Sequence, residues 1–157
     1  MRNAIKMVGL VSALALSACG GDKGDDLGRF VGTWQATAGT GTTVCPGYAP
    51  STSVLTGNAV FREGLSSDLV VSTAIISCPV LADVTNATAS GTPGQNCITS
   101  DGAGGTSTLT FTSYTFVVSP DGHTASENSS GQFTVVDQGV SVVCSFNETG
   151  SYQKITD

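Results

Sequence analysis

Threonine dominates the body of this chain and limits the folds that are open to it. Residues 30–157 contain twenty-one threonines but only five leucines, three glutamates and one lysine. β-Branched side chains fit a pleated, half-buried surface, whereas a segment so poor in strong helix formers disfavours helix. The composition therefore predicts an all-β domain over residues 30–157.

Polar and apolar residues alternate with a period of two in several stretches, as in strands with one buried face. Trp34, Ala36 and Ala38 alternate with polar neighbours in this way. Turn sequences such as Pro93-Gly94 and Asp121-Gly122 separate the stretches. The predicted strands cover residues 31–44, 53–62, 68–77, 80–87, 95–100, 106–118, 124–136 and 140–155.

The connections between these strands are short, so successive strands are expected to be antiparallel neighbours in a meander. Eight strands can close into a barrel, which leaves no exposed edge. A two-sheet β-sandwich is the alternative. The length of the segment fits one domain.

The predicted domain is acidic, with nine acidic and two basic residues from Phe30 onward. Nucleic-acid binding requires a basic footprint, so this class of partner is excluded. The same charge argues against adsorption to anionic lipid headgroups. Because the acids are scattered, we interpret them as a solvated surface.

The N-terminus carries an export and anchoring motif. A basic start and an apolar run, too short to span a bilayer, lead to Leu16-Ser17-Ala18-Cys19, which closely resembles the lipobox of bacterial lipoproteins. The resemblance implies a signal peptide, with an N-terminal signal helix, over residues 1–18 and cleavage between Ala18 and Cys19. It also implies a diacylglycerol group on the Cys19 thiol and acylation of the new Cys19 amine by a fatty acid such as palmitate. By the same resemblance, glycine after the cysteine implies sorting to the outer membrane, with the domain facing the periplasm or the cell surface. Residues 19–29 are expected to form a flexible tether.

The remaining four cysteines predict two disulfides, because an even number in an exported domain indicates a disulfide framework. Of three pairings we favour Cys78–Cys97 and Cys45–Cys144. The first pair flanks a predicted hairpin whose turn lies near Asn86.

The second pair follows from closure of the barrel by its first and last strands. If Trp34 lies opposite Ile155, the same register places Cys45 opposite Cys144. Strict alternation puts Cys45 on the wrong face, so a β-bulge is expected at Gly39-Thr40-Gly41.

Gly32-Thr33-Trp34 resembles the G-x-W motif at the start of the first strand in lipocalins. The resemblance implies a barrel floor closed by Trp34, with a basic side chain, here Lys154, packed over its ring. The chain also resembles small Ser/Thr-rich, disulfide-bonded bacterial lipoproteins of unknown function. A tryptophan that simply fills the core is the alternative interpretation.

The sequence predicts no enzyme, no metal site and no cofactor. His123 is the only histidine and lies in a Pro-Asp-Gly-His turn, where the Pro-Asp-Gly residues have a backbone role of their own. No pair of carboxylates and no glycine-rich loop before a helix has the spacing of a catalytic or phosphate-binding motif.

Two function classes remain. The first is a membrane-anchored binding module for a small apolar ligand or an envelope component. The second is a structural or interaction lipoprotein that docks on an envelope protein and has a packed, ligand-free interior. In the first class, aromatic side chains would line the cavity, namely Trp34, Phe61, Phe116, Phe133, Phe146 and Tyr152.

Overall fold

The computed structural model describes residues 23–73, 78–100, 105–137 and 139–157. Within these ranges one short helix precedes ten strands, so the predicted all-β fold is confirmed. The elements are α1 (Lys23–Phe30), β1 (Gly32–Val44), β2 (Ser51–Val54), β3 (Asn58–Glu63), β4 (Leu69–Thr73), β5 (Val80–Thr85), β6 (Thr88–Gly91), β7 (Asn96–Ser100), β8 (Thr106–Val118), β9 (Thr124–Asp137) and β10 (Val140–Thr156).

Eight of these strands close into an antiparallel barrel, which confirms the barrel over the sandwich. Their order around the ring is β1-β3-β4-β5-β6-β8-β9-β10, and β10 pairs with β1 to close it. The four long strands β1, β8, β9 and β10 extend past this ring. There β2 flanks β1 and β7 flanks β8, which gives the order β2-β1-β10-β9-β8-β7. We call this extension the open half.

The predicted strand over residues 53–62 is divided in the structure into β2 and β3. Gly57 has a φ of +99°, which turns the chain between the two strands. The Leu55 amide donates to the Gly39 carbonyl, and Gly57 accepts from the Ala36 amide. Backbone pairing with β1 therefore continues across the break.

The predicted meander misses β6, and this changes the neighbour of β8 in the ring. Asn86 has a φ of +55° in the tight turn of the β5–β6 hairpin. It is β6 that pairs with residues 115–117 of β8, whereas β7 pairs with residues 106–110. The break between β6 and β7 contains Gly94, whose φ is +81° and whose amide donates to Phe111.

The predicted disulfide between Cys45 and Cys144 is confirmed, with Cα atoms 4.3 Å apart. The predicted register is wrong by one residue at its start, because Trp34 lies opposite Lys154. A bulge between Ala36 and Ala38 inserts one residue. It lies before the predicted position at Gly39, but it produces the expected change of phase. Ala38 is consequently exposed and does not share the buried face of Trp34.

The predicted disulfide between Cys78 and Cys97 is also confirmed, with Cα atoms 5.7 Å apart. It joins the segment before β5 to β7, on either side of the β5–β6 hairpin. Two disulfides are compatible with an exported protein outside the cytoplasm.

The helix α1 packs against one end of the barrel, which we call the closed end. Phe30 is fully buried in the core, and Leu27 packs against it. The flexible tether predicted over residues 19–29 is therefore helical from Lys23 onward, because these two apolar side chains attach the helix to the barrel. The predicted signal peptide, the cleavage site at Ala18 and the lipidation site Cys19 lie outside the described residues.

Within the described ranges, no helix combines the length and apolar character needed to cross a membrane.

Candidate functional site

Four of the six aromatic residues predicted to line a cavity pack on one another near the closed end. Trp34, Phe61 and Phe116 are fully buried, and Tyr152 is nearly so. The ring of Phe116 lies 5.3 Å from Trp34, 4.4 Å from Phe61 and 5.4 Å from Tyr152, centroid to centroid. Their edge-on and tilted contacts fill this part of the barrel with ring atoms.

Lys154 covers the floor of the barrel beside this cluster. Its Nζ lies 5.8 Å from the centroid of the Trp34 ring, where the lipocalin resemblance places a basic side chain. The same Nζ forms an ion pair of 2.8 Å with the exposed Asp157 and donates to the Gly28 carbonyl at 3.4 Å. Gly32 permits the close approach of β10 and of the Lys154 side chain. A Cβ at this position would lie 2.2 Å from the Thr156 carbonyl oxygen and 3.0 Å from the Lys154 Cε atom.

The other two predicted aromatic residues, Phe133 and Phe146, lie in the open half. Phe146 is buried and contacts Phe111 edge-on, with centroids 5.9 Å apart. Phe133 is only half-buried. Directly paired residues share a face of a sheet, so one inner row runs across the strands and contains Cys144, Phe133, Leu109 and Cys97. The structure thus divides the six residues between two regions.

A pocket of about 300 Å³ lies beside this inner row. Its wall includes the buried Phe111, and Gln95 bonds the backbone of Leu81 through both its Oε1 and Nε2 atoms. Most of its surface is apolar. None of the six predicted aromatic residues lines it. The lining residues are Cys78, Pro79, Leu81, Gln95, Asn96, Cys97 and Phe111.

Two glutamates that the sequence analysis missed face the barrel interior on neighbouring strands. Glu127 on β9 is 7 % exposed, and Glu148 on β10 is half-buried. The Tyr152 hydroxyl donates to Glu127, and the Ser129 hydroxyl donates to Glu148 at 3.4 Å. Among the described residues, neither carboxylate has a basic partner within ion-pair distance. The interior therefore holds acidic groups whose neighbours are neutral hydrogen-bond donors.

Burial changes the acid–base behaviour of this interior group. Desolvation raises the pKa of Glu127 to about 7, which its bond from Tyr152 only partly opposes. Desolvation also raises the pKa of Glu148. The pKa of Tyr114 and that of Tyr152 are raised by burial first and then by the nearby Glu127 carboxylate. The cluster is thus most stable when its carboxyl groups are protonated.

Glycines on β1 and β10 make room beside these glutamates. Gly39 and Gly150 pair with each other, and Gly150 also pairs with Glu127. A Cβ at either glycine would lie 2.9 Å from the side chain of Leu55. Leu55, turned inward at the break between β2 and β3, therefore occupies the space that two side chains would otherwise take.

A second, shallower depression of about 260 Å³ lies over the same glycines and includes the exposed residues Ser126, Asn128, Thr149 and Ser151. His123 is exposed in the β8–β9 turn, where its backbone amide donates to Asp121. The hydrogen bond from Ser119 lowers the pKa of Asp121. Across the described ranges, no group of three or more His, Cys, Asp or Glu side chains could hold a metal ion.

The sequence contains a signal for one of the missed glutamates. Cys144, Phe146 and Tyr152 have the same parity as Glu148, so alternation along β10 places Glu148 inside. Glu127 lacks such a signal, because residues 126–130 are all polar. Its pairing with the buried Phe116 on β8 and with Gly150 on β10 reveals its orientation.

Comparisons with protein-family models, curated proteins and solved structures find no match for this chain. The pocket beside the open half and the interior carboxylates are therefore the features on which an assignment of function rests.

Proposed function

We propose that this protein is a lipid-anchored bacterial envelope lipoprotein whose barrel binds a small apolar ligand without catalysing a reaction. The pocket between Phe111 and the Cys78–Cys97 disulfide carries the proposal. Its volume of about 300 Å³ lies at the lower limit of ligand pockets, which are concave, mostly apolar and supplied with a few polar groups. Gln95 and Asn96 provide polar groups at its wall.

Several features support the exported, anchored location. The lipobox-like sequence ends at Cys19, and the other four cysteines are paired in two disulfides. Disulfides persist in oxidising compartments. Three fatty chains on Cys19 would hold the protein in a bilayer, since each buried methylene contributes about 0.8 kcal/mol. Gly20 after the cysteine favours the outer membrane.

The alternative is a structural or interaction lipoprotein, and one observation favours it. The aromatic rings near the closed end contact one another, so that part of the barrel is packed by its own side chains. In this alternative the outer face of the barrel would dock on an envelope protein. The two functions differ in whether the pocket beside Phe111 is occupied.

Native mass spectrometry of the mature protein, extracted from its own membranes, tests the proposal. We expect a mass that begins at Cys19 and includes the acyl groups, together with a second species that carries a small apolar molecule. The purified protein should also bind the neutral probe N-phenyl-1-naphthylamine. A chain without the acyl mass contradicts the anchor, and absence of both adduct and probe binding favours the structural alternative.

A matched pair of variants locates the binding. Leu81→Trp places a larger side chain at the half-buried wall of the pocket, whereas Leu65→Trp adds the same ring at a fully exposed position. We expect Leu81→Trp to lose most probe binding and Leu65→Trp to retain it. Circular dichroism verifies that both variants fold. Equal binding by the two variants would place the ligand elsewhere.

A further inference from the structure

The two ends of the barrel differ in construction. The closed end contains α1, the β8–β9 turn and the last residues of β10. The opposite end contains the β9–β10 turn and the turn that follows Cys45. The open half, with its inner row and the Cys78–Cys97 disulfide, lies toward that opposite end.

The helix α1 is attached firmly to the closed end. Phe30 is fully buried, and its carbonyl accepts a hydrogen bond of 2.8 Å from the Trp34 indole nitrogen. The Val31 amide donates to the Leu27 carbonyl, and Lys154 reaches the Gly28 carbonyl. The C-terminal half of α1 therefore has a defined place relative to the barrel floor, and the rest of this short helix continues from it.

The chain between Cys19 and α1 is short. Four residue steps separate Cys19 from Lys23, and fully extended they span at most about 14 Å. The eight residues of α1 add about 12 Å. The 17 residues of β10, at a rise of about 3.3 Å each and a tilt of about 40°, span about 43 Å along the barrel axis. A group on Cys19 thus cannot reach the opposite end while α1 is in place.

We infer that the closed end, with α1, faces the lipid bilayer and that the open half and its pocket face away from the bilayer into the aqueous phase. This inference rests on the proposed lipid attachment at Cys19. It makes the bilayer surface the partner of the closed end. It also means that the ligand enters the pocket from solution and not by lateral movement out of the membrane.

The charge of the closed end shows which force fixes this arrangement. The helix α1 contains two basic and two acidic residues, and the barrel end beside it carries Glu63, Asp68, Asp83, Asp121 and Asp157 against Arg62 and Lys154. Such a surface is not attracted to anionic headgroups. The short connection to Cys19 therefore sets the orientation, and added anionic lipid should not strengthen it.

Paramagnetic relaxation tests the orientation. The protein, lipidated at Cys19, is labelled with ¹⁵N and reconstituted in phosphatidylcholine nanodiscs that contain a gadolinium-chelating lipid. We expect strong broadening of amide signals in α1 and in the β8–β9 turn around Gly122. Signals of Tyr48 and Gly139 at the opposite end should remain sharp. Equal broadening at both ends, or stronger broadening at Tyr48 and Gly139, overturns the inference.

Chemical anchoring separates a failure of the orientation from a failure of natural lipidation. The four other cysteines are paired, so Cys19 is the free thiol in a chain that starts there and retains every described residue. Coupling a maleimide phospholipid to Cys19 supplies the anchor without cellular processing. The same pattern of broadening is expected, and its absence in this preparation contradicts the orientation itself.

A longer connection provides the control. Insertion of about 20 Gly/Ser residues after Gly21 adds about 25 Å of flexible chain. We expect broadening at the closed end to weaken and the difference between the ends to shrink. An unchanged difference would show that the barrel surface, and not the short connection, determines the orientation.

Discussion

At the scale of single residues, the buried carboxyl group of Glu127 is the least expected feature of the interior. It accepts a hydrogen bond from Tyr152 and has Gly150 opposite it on β10. Burial without a basic partner disfavours the ionised form of this carboxyl group and raises the pKa of Glu127 to about 7. The protonation state of one side chain thus connects the barrel interior to the pH of the surroundings.

This predicts that the free energy of unfolding falls as the pH rises through about 7. The pKa of Glu127 is raised on folding from its ordinary value of 4.5, so the folded state binds the proton more tightly. Its stabilising contribution is complete below 4.5 and is lost as the pH rises through about 7, by an amount on the order of a few kcal/mol. Glu148, whose pKa is also raised, acts in the same direction. Denaturant unfolding from pH 5 to pH 8.5 measures the effect.

The variant Glu127→Gln should retain the bond from Tyr152 while removing the ionisable group. Its free energy of unfolding is expected to depend on pH much less than that of the wild-type protein. Glu63→Gln, at an exposed position on β3, is the matched control and should leave the dependence unchanged. A pH dependence that persists in Glu127→Gln would assign the effect to another group.

At the scale of elements, each of two long strands contains a bulge opposite a break in its neighbour. β1 bulges between Ala36 and Ala38, beside the break between β2 and β3. β8 shifts register between Phe111 and Ser113, beside the break between β6 and β7. A bulge increases local twist and bends its strand. The two bulges thus mark the level at which the closed ring becomes the open half.

The two disulfides are expected to contribute unequally to stability. Cys45 and Cys144 are 99 residues apart, and Cys78 and Cys97 are 19 apart. Because a bridge that closes a longer loop restricts the unfolded chain more, Cys45–Cys144 should stabilise the fold by about 1.5 kcal/mol more than Cys78–Cys97, which the loss of chain entropy places at about 3 kcal/mol. Denaturant unfolding of the two double Cys→Ser variants provides a direct comparison. Equal losses, or a larger loss without Cys78–Cys97, would show that native-state contacts outweigh chain entropy.

Strand-favouring composition and the turn sequences at both ends predicted the long strands, even though residues 126–130 of β9 are all polar. The long strands β1, β8, β9 and β10 differ from their predicted bounds by one residue at most. β6 was missed, because Thr88-Ala89-Ser90-Gly91 is short and has small side chains on both faces. Cys45–Cys144 was predictable from strand closure and Cys78–Cys97 from a predicted hairpin between the two cysteines, but the pocket was not predictable. Its residues come from β5, β7 and β8 and from the segments just before β5 and β7, and nothing in their sequence pattern shows that a cavity lies between them.

At the scale of the whole molecule, the first and last strands close the ring. Gly32 lies beside Thr156 and Asp157, so the two ends of the barrel segment meet at the closed end. The β9–β10 turn lies at the far end of the longest hairpin, which pairs from Gln153 with Thr124 to Val140 with Asp137. We therefore expect a separation between the covalent connection at the β9–β10 turn and the closure of the ring. Cutting the chain at that turn should leave the pairing of β1 with β10 intact.

A circular permutant tests this separation. The new chain begins at Gly139, ends at Gln138, and joins Asp157 to Lys23 through about ten Gly/Ser residues. We expect it to fold with both disulfides and an unfolding midpoint only a few degrees lower, because breaks at turn tips are tolerated. Circular dichroism and peptide mapping under non-reducing conditions measure the outcome. A permutant without the Cys45–Cys144 bridge would show that closure depends on the β9–β10 connection.

Closure by the terminal strands also has a consequence in time. During synthesis the chain emerges N-terminus first, so β1 is available early. Its partner along most of its length is β10, which emerges last. Cys78 and Cys97 are close in sequence and can pair before the rest of the chain has emerged, whereas Cys45 can form its native bridge only after Cys144 has emerged. Until then β1 has an unpaired edge, which is the surface through which strands aggregate. Only when the 17 residues of β10 pair with β1 is this edge covered. Until then a newly made chain is exposed to aggregation with other copies of itself.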